Sequence, residues 1–251
     1  MFDHQASRRS VMRGALVGAC ALSLSARGAI AKEAGGQHVV LLGDSILDNG
    51  AYVGSGLDVI EQLGRRLPPG ARATLSAVDG SLTSGVKLQL QIAPADATHF
   101  VISAGGNDAL HHAGLLDEKV STVAEALDQL AAVRESFAED YRAMLDVVTA
   151  RGLPVAVCTI YDARFPDLKQ RRRASLGLAL FNDCITREAS ARGLALIDLR
   201  LILTADSDLA NPIEPSVSGG AKIASAIAAF TADYDLARGR CEVFTTAAAK
   251  A

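Results

Sequence analysis

Five short apolar runs constrain this chain more than any other feature. They lie at residues 38–42, 73–78, 99–103, 154–160 and 194–199, without sustained alternation of polar and apolar residues. A strand with one wet face alternates, whereas a strand covered on both faces reads as a continuous apolar run. Between the runs the apolar period changes to that of a helix. The longest example covers residues 123–148, with Leu127, Leu130, Phe137, Tyr141 and Met144 spaced mostly by threes and fours. Phe181, Ile185 and Ala189 mark another helix, and residues 222–230 a last one, opened by the loop 216–220. Five β-then-α units predict an α/β domain with a five-stranded, mostly parallel sheet covered by helices on both faces. No Pro/Gly/Ser-rich linker or internal repeat interrupts it, so residues 32–251 are expected to form a single domain.

The N-terminus does not belong to that pattern. Ser7 to Arg13 is basic, residues 14–26 are apolar and small, and Ala29-Ile30-Ala31 is a small-x-small cleavage signal. That order predicts a secretory signal peptide over residues 1–31. The pair Arg8-Arg9 before the apolar stretch resembles a twin-arginine signal, implying the twin-arginine export machinery as a partner and a periplasmic or secreted destination. The apolar stretch is 13 residues of mostly Gly, Ala, Ser and Leu, too short for a stable membrane span, which takes about 20. Cys20 follows Val17-Gly18-Ala19, a faint lipobox with too few apolar residues ahead of it. Removing the leader takes the formal charge from −3 to −6, because it carries four Arg against one Asp. That charge argues against a nucleic-acid partner. Cys158, Cys184 and Cys241 remain. Cys158 reads as a buried free thiol, and a Cys184–Cys241 disulfide is left open.

In a parallel sheet, ligands sit at the carboxyl ends of the strands, so the strand ends are where chemistry is expected. The first strand runs into Gly43-Asp44-Ser45, a sharp turn that lifts a Ser hydroxyl above the sheet. The second ends in Val78-Asp79-Gly80-Ser81, where Gly80 offers a backbone N–H that no side chain shields. The third leads into Gly105-Gly106-Asn107-Asp108, where the Asn107 amide is a second candidate donor to the same crevice. Taken singly, these are also an ordinary helix cap, a turn glycine and an Asx-turn.

Together the three blocks resemble the SGNH, or GDSL, hydrolase family, and the resemblance spans about residues 39–230. It implies a three-layer α/β/α sandwich with a flavodoxin-like sheet. It further implies an esterase acting on carboxylic esters, of carbohydrate or lipid among others. Ser45 would be the nucleophile, with an oxyanion hole from the amides of Ser45 and Gly80 and the Asn107 side chain. A catalytically silent member of the same fold that binds a glycan or acyl ligand is the alternative. No cofactor is implied, and no GxGxxG or GxxxxGK[ST] motif occurs.

The last block departs from the family. Where DxxH is expected the chain reads Asn211-Pro212-Ile213-Glu214. Glu214 thus stands in the place of the catalytic His and is the candidate acid/base. A free Glu, with a pKa of about 4.3, is a weak base, and burial raises that value. Of the five His, His4 is in the leader, and His38 and His99 open strands at the end remote from the crevice. His111 and His112 follow Asn107 closely and are the substitutes, read first as exposed loop residues. Asp108 with His111 and His112 is a weak candidate metal cluster, since one local turn rarely closes a site. Lys169 and Arg171–Arg173 read as a solvated helix face, Asp206 and Asp208 as a surface turn, and Asp44 and Asp108 as braces of their turns.

Overall fold

A computed structural model describes residues 36–245. The expected leader over residues 1–31, with its arginine pair, expected cleavage signal and Cys20, lies outside the described residues. Among the described residues no helix is long and apolar enough to cross a membrane.

Six strands form one parallel sheet: β1 (His38–Gly43), β2 (Arg72–Leu75), β3 (His99–Ser103), β4 (Val155–Cys158), β5 (Ala195–Ile197) and β6 (Glu242–Phe244). Their order is β2-β1-β3-β4-β5-β6. The chain moves outward from β1 to β2 and then returns to the other side of β1. The order therefore reverses between β1 and β3, where a crevice opens above the strand ends. The five expected strands are present, and β6 is a sixth that the apolar runs did not announce. It is a three-residue edge strand reading Glu-Val-Phe, with no apolar run to reveal it.

The helices are α1 (Val59–Gly64), α2 (Val86–Ile92), α3 (Gly106–His111), α4 (Val123–Thr149), α5 (Leu168–Arg192), α6 (Leu199–Ile202) and α7 (Val217–Asp233). Successive strand residues point to opposite faces. Val39 and Leu41 join α1, α6 and α7 on one side, while Val40 and Leu42 join α2, α4 and α5 on the other. Both faces are covered, which is why these strands do not alternate.

Local chemistry sets the helix ends. Thr122 caps α4 by accepting from Glu125 N–H, Asp167 caps α5, and Ser216 caps α7 by accepting from Gly219 N–H. α4 changes role along its length. Phe137, Tyr141, Met144, Leu145 and Val148 are buried on the sheet. Leu127, placed in the same stripe from its spacing, is 59% exposed, and the buried residues of α4 begin only at Phe137. Cys158, Cys184 and Cys241 are all free thiols, so the Cys184–Cys241 disulfide is not formed. Cys184 instead lies buried on α5, its Sγ 3.8 Å from the Arg134 carbonyl.

Candidate active site

The turn after β1 is built by close backbone contact. Gly43 has φ +119°, and a Cβ there would lie 1.7 Å from the Ser103 carbonyl oxygen of β3. Only Gly lets the two central strands approach this closely. Gln89 of α2 locks the turn from below, its Oε1 accepting from Gly43 N–H at 2.6 Å and its Nε2 donating to Gly43 O at 2.8 Å. Asp44 turns its carboxylate inward, accepting from Ser103 Oγ at 2.9 Å and Ile46 N–H at 3.2 Å. It braces the turn as expected, and it is buried. Burial pushes its pKa up to about 7 despite the opposing hydrogen bonds from Ser103 and Ile46.

Ser45 sits on this turn, 5% exposed, and its Oγ donates to Glu214 Oε1 at 3.1 Å. Glu214 is 6% exposed, and its other oxygen, Oε2, has no hydrogen-bond partner among the described residues. Desolvation raises its pKa to about 7, against the lowering effect of the Ser45 hydrogen bond and with the Asp79 charge adding to the rise. A carboxyl group with that pKa exchanges protons near neutral pH, which an exposed Glu does not.

The loop that delivers Glu214 is pinned along its length. Asn211 Oδ1 accepts from the N–H groups of Ile213 and Glu214, both at 2.9 Å, closing a turn over Pro212. Tyr161 Oη donates to the Ile213 carbonyl, and Arg164 N–H to the Pro212 carbonyl at 2.7 Å. Asn49, fully buried, donates to Pro215 O at 3.2 Å and accepts from Val59 N–H at 2.9 Å. Asp208 is not the surface residue expected. It is 1% exposed and pairs with Lys222 Nζ of α7 at 2.7 Å, whereas Asp206 is the exposed partner of Arg164. Gln89, Asn49 and Tyr161 were not anticipated, since each acts through contacts distant in sequence.

Asn107 lies in the first turn of α3, and its Nδ2 donates to Ser81 O at 3.0 Å, which orients the amide. Asp108 accepts from both the N–H and the Oγ1 of Thr83 at 3.0 Å, fastening α3 to the loop after β2. Gly80 stands exposed in that loop with φ +76°, and a Cβ there would meet nothing within 4 Å. The N–H groups of Ser45 and Gly80 have no acceptor among the described residues. Beside them Tyr52 Oη donates to Asp79 at 2.7 Å, a bond that pushes the phenol up to about 12.

Among the described histidines, His112 borders the same cavity as Ser45 and Glu214, and His38, His99 and His111 do not. His38 bonds Asp96 and Thr74, and His99 bonds Thr98, below the sheet ends that carry Ser45. His111 and His112 are exposed, and neither bonds Ser45 or Glu214. With Asp108 committed to Thr83, the weak metal cluster does not form. No group of three or more His, Cys, Asp or Glu suited to a metal ion occurs among the described residues. Arg173, read as solvated, reaches Asp117 at 3.6 Å, and both border the cavity that Ser45 and Glu214 line.

Ser45, Asn107 and Glu214 all line one cavity of about 610 Å³, whose walls come from α3, the segment after it, and the first halves of α4 and α5. Gly80 lies outside that lining. A buried hydroxyl hydrogen-bonded to a carboxylate of raised pKa, in one cavity with a fixed amide, suits attack on a polarised carbonyl.

Residues 41–221 match the model of the GDSL-like lipase/acylhydrolase family. No curated protein sequence matches the chain. Among solved structures, the extracellular lipase of Streptomyces rimosus is similar at TM-score 0.55 and 18% identity, over 74% of this chain and 95% of that one. The lipase Lip_vut3 from a goat rumen metagenome has TM-score 0.59 and 17% identity, over 79% and 98%. The acetyl xylan esterase AlAXEase has TM-score 0.57 and 17% identity, over 78% and 100%. At these identities the likeness establishes the shared α/β/α fold.

Proposed function

This chain belongs to the GDSL-like lipase/acylhydrolase family, and from that premise we propose that it hydrolyses carboxylic esters with Ser45 as nucleophile and Glu214 as the base in place of histidine. The observation that carries the proposal is the 3.1 Å hydrogen bond from Ser45 Oγ to a buried Glu214 whose pKa is raised to about 7.

In this mechanism Ser45 Oγ attacks the ester carbonyl carbon while its proton passes to Glu214 Oε1. The carbonyl oxygen becomes an oxyanion, met by the N–H groups of Ser45 and Gly80 and by Asn107 Nδ2. The intermediate collapses as Glu214 returns the proton to the leaving alkoxide, leaving an acyl-Ser45 ester. Water then attacks that ester, giving its proton to Glu214, and the carboxylic acid leaves as Ser45 recovers its hydrogen. Asn211, Tyr161 and Arg164 contribute by holding the Glu214 loop against Ser45. Asp44 stabilises the turn beneath Ser45 and takes no part in proton transfer.

The leader supports a protein exported by the twin-arginine route, acting on esters outside the cytoplasm. A fluorophosphonate probe tests the nucleophile. One adduct on Ser45 is expected, with none in Ser45→Ala. An unlabelled, inactive protein that still binds acyl or glycan ligands would establish the silent alternative instead.

A further inference from the structure

The cavity that holds Ser45 and Glu214 continues between α4 and α5, where Leu130, Val133, Leu178 and Phe181 supply hydrocarbon walls. These four side chains form a hydrocarbon stretch with no hydrogen bond to offer a sugar ring, in a cavity that His112, Asp117, Gln170 and Arg173 also border. Gly177 also borders this cavity, and its presence there is unusual. It sits in the middle of the 25-residue helix α5, where glycine is the worst residue after proline. No backbone need explains it. Its φ is not among the positive ones, and a Cβ built on it would touch nothing within 4 Å. What the missing side chain does leave is room in the cavity.

We propose that this cavity receives the acyl chain of the substrate, that the chain is longer than acetyl, and that Gly177 determines the length accepted. The proposal rests on the ester hydrolysis set out above and names its substrate class. The ester carbonyl sits at Ser45, and the chain extends along the α5 face formed by Ala174, Gly177, Leu178 and Phe181. These positions are three and four apart, so they share one side of the helix.

The test compares p-nitrophenyl acetate, butyrate and octanoate. For the unaltered protein kcat/KM is expected to rise by up to about fourfold per added methylene, the equivalent of about 0.8 kcal/mol, so that octanoate exceeds acetate at least tenfold. Gly177→Phe places a ring in the open space and is expected to lower the octanoate-to-acetate ratio at least tenfold. Gly177→Ala, which also improves the helix, shifts it less in the same direction. Leu176→Phe, at a position of α5 that is 74% exposed, leaves the ratio within twofold.

Labelling of Ser45 with an acetate preference, or a ratio unmoved by Gly177→Phe, would overturn the cavity assignment while leaving the hydrolase reading intact. If no ester is turned over and Ser45 is not labelled, the hydrolase reading fails, and calorimetry with methyl octanoate decides the cavity by itself. Binding lost in Gly177→Phe supports it, and no binding to the unaltered protein removes it.

Discussion

Ser45 Oγ and Glu214 Oε1 lie 3.1 Å apart across 169 residues of chain, the hydroxyl donating to the carboxylate. Two segments with separate anchors make that contact. The Gly43–Ser45 turn is held by Gln89 and Ser103, and the Glu214 loop by Asn211, Asn49 and Tyr161. The contact is therefore a property of the two frames, and its consequences can be measured.

The first concerns pH. In the proposed reaction Glu214 can act as base only when ionised, and burial raises its pKa to about 7. kcat/KM should rise about tenfold per pH unit below 7 and level off above it. Asp44, with its pKa also near 7, influences the same midpoint. The check is a kcat/KM profile from pH 4.5 to 9, and a flat profile across pH 5–8 would exclude Glu214 as the base.

Glu214→Gln keeps the shape and removes the proton acceptor. A loss in kcat of about 10²–10⁴ is expected. Stability should respond in the opposite sense at high pH. Because the folded pKa is raised from 4.5 to about 7, ionisation opposes folding, and that penalty grows as pH climbs through this window. The variant carries no such penalty, so its Tm relative to the unaltered protein should be more favourable at pH 8 than at pH 4.5. Thermal melts at the two pH values decide this, and an equal difference at both would contradict it.

Asn107→Ala removes one proposed oxyanion donor and the bond to Ser81 O. kcat should fall by about 10²–10³ with little change in KM, since the donor matters most when charge develops. Steady-state kinetics beside a melting curve separate this from partial unfolding. A raised KM with unchanged kcat would assign Asn107 to ground-state binding instead.

Gly43→Ala tests the frame rather than the chemistry. Its Cβ would fall 1.7 Å from the Ser103 carbonyl oxygen, at φ +119°. A destabilisation of about 3 kcal/mol is expected, read from urea midpoints. The clash is with backbone, so adding Ser103→Ala should not restore stability.

The legible parts of this molecule were those encoded within a few residues. Apolar runs revealed five strands because both faces of the sheet are covered, and the β1 and β3 ends announced Ser45 and Asn107. β6 was missed because a three-residue edge strand needs no apolar run. Asp208 was misplaced because its partner Lys222 lies 14 residues away on a helix that turns it inward. Gln89 gave no signal at all, since a glutamine bonding backbone 46 residues away leaves no local pattern.

The sequence by itself determined the α/β class, the family and the residue types at each strand end, because these depend on periodicity and on neighbours along the chain. By resemblance it also placed Glu214 where the family pattern has His. The raised proton affinity on which its proposed role as a base rests comes only from tertiary structure. Proton affinity depends on solvent and nearby charge, and it took the closed crevice around Glu214 to withdraw water from one carboxyl group and set it against Ser45.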